Sequence, residues 1–407
     1  MSAAAQGGGR PLDGLTVLDL THMLSGPYGT MMLADLGAQT IKVEPPVRGE
    51  QTRRLGEDDP QHTIDGAGAY FLTLNRNKKS VALNLKSAEG RRIFLDLVRQ
   101  ADVVLDNFAA GVMKRLGLDH DALSAVNPRI VTCSITGFGE YGPDIDRPAF
   151  DQVVQAMSGG MSITGDGASG PMRSGIPIGD LGGGLFAAIG VLAALQERGR
   201  TGIGQHVDVS MLDGQISLLS YIGAMYLMSG VVPQAMGNGH SMHVPYNVYP
   251  TSDGHVVIAC IGDEFFGRMV KCLDDPALAD DAYCTQRGRL AHKESIESIV
   301  RAHLAAQTTA YWLARLSAAK VPCAPVNNMA QAFAEPQVRA RNMVVPIELD
   351  SGKWIKVPGT PIKFSRSAGE RFTAPPAIGR DTESVLRDML HYTDQEVARL
   401  TATPDVG

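Results

Sequence analysis

Cysteine is sparse in this 407-residue chain and poorly spaced for cross-links or metals. The five cysteines, Cys133, Cys260, Cys272, Cys284 and Cys323, are odd in number, and none stands in a C-x-x-C pair. That pattern argues against a disulfide framework or a zinc site and suits a reducing, cytoplasmic compartment. Basic charge is not in excess: the formal net charge is −6 and no Lys/Arg stripe stands out, so no nucleic-acid partner is expected. Uninterrupted apolar runs are also missing. The longest, Ile216 to Val232, contains Ser217, Ser220, Gly223, Ser229 and Gly230. It falls short of the roughly 20 apolar residues of a bilayer span and reads as a buried helix or a subunit interface, not a membrane anchor. No G-x-G-x-x-G follows the first strand and no Walker A sequence appears, which argues against a nicotinamide enzyme and a P-loop nucleotidase. Residues 1–10, rich in Ala and Gly, read as a flexible tail rather than a signal peptide.

What is present is a strand–helix rhythm in a chain too long for one typical core. Thr16–Leu20, Thr40–Glu44, Ser80–Leu85, Asp102–Leu105 and Arg129–Ile135 read as strands. The segments 28–36, 87–100 and 119–126 between them read as helices, with Ser87 as a cap. This alternation predicts an α/β fold with an open, Rossmann-like parallel sheet. A helix over 150–158, a Gly/Ser/Pro-rich loop over 159–179 and a strong helix over 185–198 follow, then a strand over 205–209 and a long apolar helix from Met211. Near residue 245 the pattern changes to a hairpin and three helices. The expected organisation is therefore a tail (1–10), a large α/β domain (11–230), a glycine-containing linker (231–244), a small α+β domain (245–330) and a C-terminal return to the large domain (331–407).

Three places carry possible chemistry. His22 lies in T-H-M-L-S-G-P-Y-G, just past the first strand, where open α/β sheets bind ligands. Asp180 lies in G-D-L-G-G-G before an apolar helix. It reads equally well as a helix cap or as a nucleophile held anionic by the helix N-terminus, with glycines that let a bulky substrate approach. The segment M-G-N-G-H-S-M-H-V-P-Y (236–246) reads as a mobile loop offering backbone N–H groups to an oxyanion, or as a plain linker. His240 and His243 lack a third ligand, so no metal site is expected. Lys42, Arg48, Arg53, Arg54, Arg76, Lys78, Lys79, Lys86 and Arg115 are scattered, several just past strands where a phosphorylated ligand would lie.

These residues sit in a recognisable frame. L-D-G-L-T-V-L-D-L-T-H (12–22) with L-G-A-Q-T-I-K-V-E (36–44), N-R-N-K-K-S-V-A-L-N-L-K (75–86), A-D-V-V-L-D-N-F (101–108) with R-L-G (115–117), and G-D-L-G-G-G (179–184) with T-G-I-G-Q-H-V-D-V-S-M-L-D (201–213) occur in order. The chain thereby resembles the class III CoA-transferases, the family of formyl-CoA transferase, carnitine CoA-transferase and the α-methylacyl-CoA racemases. The resemblance implies a large α/β domain plus a small domain in an interlocked homodimer. It also implies acyl-CoA and carboxylate substrates and no further cofactor. It places Asp180 on the catalytic aspartate, and His22, Met23 and Leu24 beside the thioester. Leu83, Lys86, Asn107, Phe108 and Arg115 fall on CoA-nucleotide positions, Met211 on another CoA-lining position, and Gly237–Gly239 on a covering loop. Two departures stand out: Leu24 replaces a glutamine of formyl-CoA transferase, and Pro45 replaces a CoA-contacting arginine, for which Arg48 is the nearest substitute.

The racemases of this family pair the aspartate with a histidine. Here Phe150, in R-P-A-F-D-Q (147–152), occupies its place and cannot exchange a proton, so the resemblance implies a transferase rather than an epimerase. Asp151 falls on a second acidic position and is expected to support the site. The implied chemistry runs through an aspartyl anhydride and an aspartyl-CoA thioester. The segments 237–249 and 326–338 look most like relatives that use succinyl-CoA with C4–C6 dicarboxylates. Arg53, Arg54, Arg173 and His240 are the candidate anchors for the distal carboxylate.

Overall fold

The computed structural model describes residues 9–407, so positions 1–8 of the expected tail lie outside it. Residues 9–407 divide into two compact units, one of 9–160, 174–228 and 339–407, the other of 161–173 and 229–338. The expected linker and small domain both fall inside the second unit.

In the first unit, β1 (Thr16–Asp19), β2 (Gln39–Glu44), β3 (Lys78–Ala82), β4 (Val103–Asp106), β5 (Val131–Thr136) and β6 (His206–Ser210) form one sheet in the order β3-β2-β1-β4-β5-β6. All five pairings are parallel, with Leu18 opposite both Ile41 and Val104. Both faces are buried, as Val/Ile/Leu-rich parallel strands require. Leu18, Ile41, Val81 and Val104 pack on one face against Ile93, Phe94 and Leu97 of the helix Ala88–Val98. Val17, Val103, Leu105, Val131 and Cys133 pack on the other against Ala187, Ala188 and Val191. The C-terminal segment returns to this unit: Val385, Leu386, Val397 and Leu400 complete the first face, and Gly407 N–H donates to the Ala82 carbonyl. The strand order reverses between β1 and β4, the switch point where open α/β sheets bind ligands.

Three helices set the site. Helix α1 is Ser25–Asp35, α2 is Asp151–Met157 and α3 is Ile178–Thr201. The sequence expectation placed Asp180 in front of a helix starting near Leu185, but α3 begins at Ile178 and carries Asp180 in its first turn. Glycine is a poor helix former, and here packing overrides propensity. A Cβ on Gly184 would lie 2.4 Å from the Ser25 carbonyl oxygen, and one on Gly29 would lie 2.7 Å from the Gly184 carbonyl oxygen. Gly184 and Gly29 therefore serve a close crossing of α1 and α3. The long apolar helix expected from Met211 is two helices, α4 (Met211–Leu218) and α5 (Ser220–Ser229), the second opening on Ser220 at φ 50°.

In the second unit, β7 (Tyr246–Pro250), β8 (His255–Ala259) and β9 (Cys323–Pro325) form an antiparallel sheet in the order β9-β8-β7. Helices α6 (Asp263–Leu273), α7 (Lys293–Ala305) and α8 (Thr309–Ala318) cover it, with Tyr249, Ile258, Met269, Ile296, Val300 and Trp312 in the core.

Candidate active site

The loop after β1 is fixed from below by buried charge. Asp19 accepts hydrogen bonds from Thr21 N–H (2.9 Å), Thr30 Oγ1 (2.9 Å) and Lys78 Nζ (2.9 Å), while Lys42 Nζ donates to the Thr21 carbonyl at 2.7 Å. Burial works against the Asp19 anion, but Lys78 and Lys42 outweigh it and hold the carboxyl low. Lys42 and Lys78 are thus structural, and they are not available to a phosphorylated ligand. Arg76 is likewise buried on Asp35, with Nη2 to Oδ2 at 2.7 Å. Arg53 grips Glu44 through Nε (2.8 Å) and Nη2 (2.6 Å) and lies 3.8 Å from the Phe71 ring centroid. Nη1 also donates to the Pro376 carbonyl at 3.0 Å, so buried Arg53 has both edges engaged and drops out as an anchor for an acceptor's distal carboxylate.

Above this base the loop is held sideways. Asn107, just past β4, accepts from His22 N–H at 2.9 Å and donates to the His22 carbonyl at 2.8 Å. Its side-chain amide ties the β1 loop to the β4 loop. Met23 follows at φ 63°, a left-handed conformation for a residue with a Cβ, and its N–H donates to Glu50 Oε2 at 3.3 Å. Burial and nearby Lys42 push the His22 imidazole below its ordinary pKa, so it is neutral at pH 7.

Two cavities open here. One, of about 430 Å³, is lined by His22, Met23, Ser25, Asn107, Phe108, Arg115, Phe150, Asp180 and Met211 among others. The other, of about 490 Å³, is lined by His22, Leu83, Lys86 and Phe108, together with Pro45, Arg48 and Arg54. His22 and Phe108, whose rings are 5.5 Å apart, border both. Thus the β1 loop, the β3 end, the β4 end and the start of α3 bring together seven sequence-selected residues around Asp180 and Lys86. Arg48 lines the same cavity as Lys86, three positions after Pro45. Leu24 lines neither cavity; it is buried at the N-terminus of α1.

Asp180 itself is not a cap. The cap of α3 is Asp151, whose Oδ1 accepts from Gly179 N–H at 2.8 Å and Asp180 N–H at 3.3 Å. A Cβ on Gly179 would lie 2.9 Å from that oxygen, which explains the glycine. Gln155 holds the other oxygen, Nε2 to Oδ2 at 2.7 Å, and accepts from Ser174 N–H at 2.9 Å. Burial, then the like charge of Asp151, raises Asp180 to about 7. The sequence argument from the helix N-terminus expects a fully ionised Asp180 at neutral pH. Burial works against that expectation and leaves Asp180 only partly ionised at pH 7. Phe150, 67% exposed, borders the same cavity as Asp180 and offers no titrating group there.

In the second unit, the loop amides are engaged. Gly237 N–H donates to the Gly165 carbonyl at 2.7 Å, and Gly239 N–H donates to the Met236 carbonyl at 3.2 Å. Neither points at a free acceptor in this conformation. His240 stacks on His243 (4.7 Å) and Tyr246 (5.0 Å), with Lys293 Nζ 3.5 Å from the His240 carbonyl. The β4–β5 end also carries a cluster that the sequence reading missed. His206 Nε2 meets Glu140 Oε2 at 2.7 Å, and Ser134 Oγ donates to buried Asp106 at 2.9 Å. No spacing in the sequence marks it, because its members come from four separate segments.

Known proteins resemble this chain over most of its length. The chain is 36% identical over 392 residues to the human succinyl-CoA:glutarate CoA-transferase, covering 96% of this chain and 89% of that one. It is 41% identical over 357 residues to the acetyl-CoA:oxalate CoA-transferase of Acetobacter aceti, covering 87% and 89%. The crystal structure of a CAIB/BAIF family protein from Brucella suis superposes with a TM-score of 0.83 at 35% identity, covering 94% of this chain and all of that one. Residues 12–382 match CoA-transferase family III, and the chain belongs to that family.

Proposed function

We propose that the protein moves CoA from an acyl-CoA donor such as succinyl-CoA to a C4–C6 dicarboxylic acid, with Asp180 as the nucleophile. The observation that carries this reading is the placement of Asp180 in a 430 Å³ cavity that shares His22 and Phe108 with the Lys86 cavity. A thioester carbonyl reaches the carboxylate from one side while the nucleotide of CoA occupies the other, beside Lys86 and Arg48.

The chemistry is covalent. The Asp180 carboxylate attacks the thioester carbonyl and expels CoA thiolate, which leaves an aspartyl–acyl anhydride. The thiolate attacks the aspartyl carbonyl, releasing the donor acid and leaving an aspartyl-CoA thioester. The acceptor carboxylate displaces the thiolate, and the thiolate then takes the acceptor acyl group, regenerating Asp180. Each step passes through an oxyanion. Gly237 and Gly239 supply donors once their loop gives up its present hydrogen bonds, and loop closure keeps water from the anhydride. The reaction uses no metal or redox cofactor. The molecule works as a cytoplasmic homodimer. The outer side of α5, with Leu227 82% and Met228 88% exposed, supports a covering partner.

A second acceptor is favoured by one comparison: the oxalate enzyme of Acetobacter aceti is 41% identical. Mass spectrometry of CoA thioesters formed from succinyl-CoA or acetyl-CoA with glutarate, malate, itaconate, mesaconate and oxalate separates the two. Glutaryl-, malyl- or itaconyl-CoA formed faster than oxalyl-CoA supports the dicarboxylate reading. Oxalyl-CoA alone assigns the protein to the shorter acid. No new thioester, with solvent deuterium entering the α-carbon of a 2-methylacyl-CoA, overturns transfer in favour of epimerisation.

A further inference from the structure

A hydroxyl bordering the Asp180 cavity has no partner among the described residues. Ser25, the first residue of α1, is 2% exposed, and its Oγ has no hydrogen-bond partner among the described residues. The atom's place is fixed by its neighbours. A Cβ built on Gly183 would meet Ser25 Oγ at 2.6 Å, Ile135 Cγ2 at 3.2 Å and Met211 Cγ at 3.2 Å. Ile135, Met211 and Ser25 itself all line the cavity that contains Asp180. Gly183 stands three residues after Asp180 on α3, and residues so spaced share one helix face. Ser25 Oγ therefore lies beside the turn that presents the Asp180 carboxylate.

A buried hydroxyl is normally hydrogen-bonded, and alanine would fill this position with one atom fewer and nothing unsatisfied. Retaining serine makes sense when an occupant of the cavity brings an acceptor. The surrounding walls, Ile135, Met211 and the Gly183 backbone, bring no competing donor side chain. We propose that Ser25 Oγ–H is a hydrogen-bond donor to the carbonyl oxygen of the acyl group that reacts with Asp180. It would be a catalytic residue supplied by α1, distinct from the backbone donors of the glycine loop. The proposal rests on the reading that an acyl-CoA carbonyl sits at Asp180. The bond strengthens as that oxygen gains charge on attack, so its effect falls on turnover more than on binding.

The test compares Ser25→Ala with the parent enzyme and measures the bound carbonyl directly. Ser25→Ala keeps or raises the melting temperature, because an unsatisfied group is removed. It loses about a hundredfold in kcat, the scale of one oxyanion donor, with KM for succinyl-CoA within about twofold. Infrared spectra of succinyl-CoA carrying ¹³C at the thioester carbonyl, bound to Asp180→Ala and to Asp180→Ala/Ser25→Ala, give the second reading. The carbonyl stretch lies at lower frequency when Ser25 is present. Unchanged kcat together with an unchanged carbonyl frequency overturns the proposal, as does a loss of kcat that follows a loss of melting temperature. If the parent enzyme makes no new thioester and the frequency still depends on Ser25, the transfer reading fails and the Ser25 contact stands.

Discussion

Asp151 caps the helix that carries Asp180: its Oδ1 accepts from the N–H groups of Gly179 at 2.8 Å and Asp180 at 3.3 Å. One carboxylate occupies the anion position at the helix N-terminus, and the other is left half-buried beside it with no ion-pair partner among the described residues. That relationship accounts for the raised pKa of Asp180, about 7, through burial first and Asp151 second.

The pH dependence follows. Only the Asp180 anion attacks a thioester, so kcat/KM for the acyl-CoA rises as pH increases through about 7 and levels off above it. Asp151→Asn keeps the capping oxygen and removes the charge. Its rising limb moves to lower pH yet stays above that of an ordinary carboxylate, because burial remains. Initial rates from pH 5 to 9 check both statements.

Stability responds in the opposite sense. Because the folded-state pKa of Asp180 is raised, its stabilising proton is retained at pH 4 and lost as pH rises through about 7. At pH 8 the buried anion destabilises the fold by at most about 4 kcal/mol, from roughly three units at 1.36 kcal/mol each. Asp180→Asn therefore raises the melting temperature at pH 8 and leaves it nearly unchanged at pH 4. Calorimetry at the two pH values shows whether the gain is confined to the higher one. The same variant forms no new thioester.

Lys86 and Arg48 share the 490 Å³ cavity, and neither has an ion-pair partner within 4 Å among the described residues. Lys86→Ala and Arg48→Ala each raise KM for acyl-CoA by about tenfold, the scale of a charge-assisted contact, with kcat little changed. The effect shrinks in high salt. Comparing CoA and dephospho-CoA thioesters shows which of the two faces the 3′-phosphate.

Arg53 behaves differently although it lies in the same stretch of sequence. Arg53→Ala leaves Glu44 buried without its partner and destabilises the fold by about 3–5 kcal/mol. It does so without a selective change in acceptor preference. A change in the ratio of acceptor rates in folded Arg53→Ala would contradict its structural assignment.

Much of this was legible before the structure. Strands such as Thr40–Glu44 announce a buried parallel sheet because the apolar residues are dense and β-branched. The motifs around His22, Leu83–Lys86, Asn107–Phe108 and Asp180 line two cavities that share His22 and Phe108. Three things were not legible. Lys42, Arg53, Arg76 and Lys78 look like Arg48 and Lys86 in sequence. Their burial depends on Thr21, Glu44, Asp35 and Asp19, which only the fold brings near. The glycines after Asp180 look like a loop, because the α1–α3 crossing that requires them is a tertiary fact. The isolation of Ser25 Oγ also leaves no mark in sequence, since it depends on the atoms that fail to surround it.

The central claim, that Asp180 forms covalent bonds with both acyl groups, is tested most directly by oxygen tracing. In turnover with succinyl-CoA and a dicarboxylate labelled with ¹⁸O in both carboxyl groups, one acceptor oxygen remains on Asp180 when the thiolate takes the acceptor acyl group. The account predicts a gain of about 2 Da, the mass difference of one ¹⁸O, on the peptide containing Asp180, and label in the released succinate after further turnover. New thioester formed with no label on that peptide and none in succinate would contradict it.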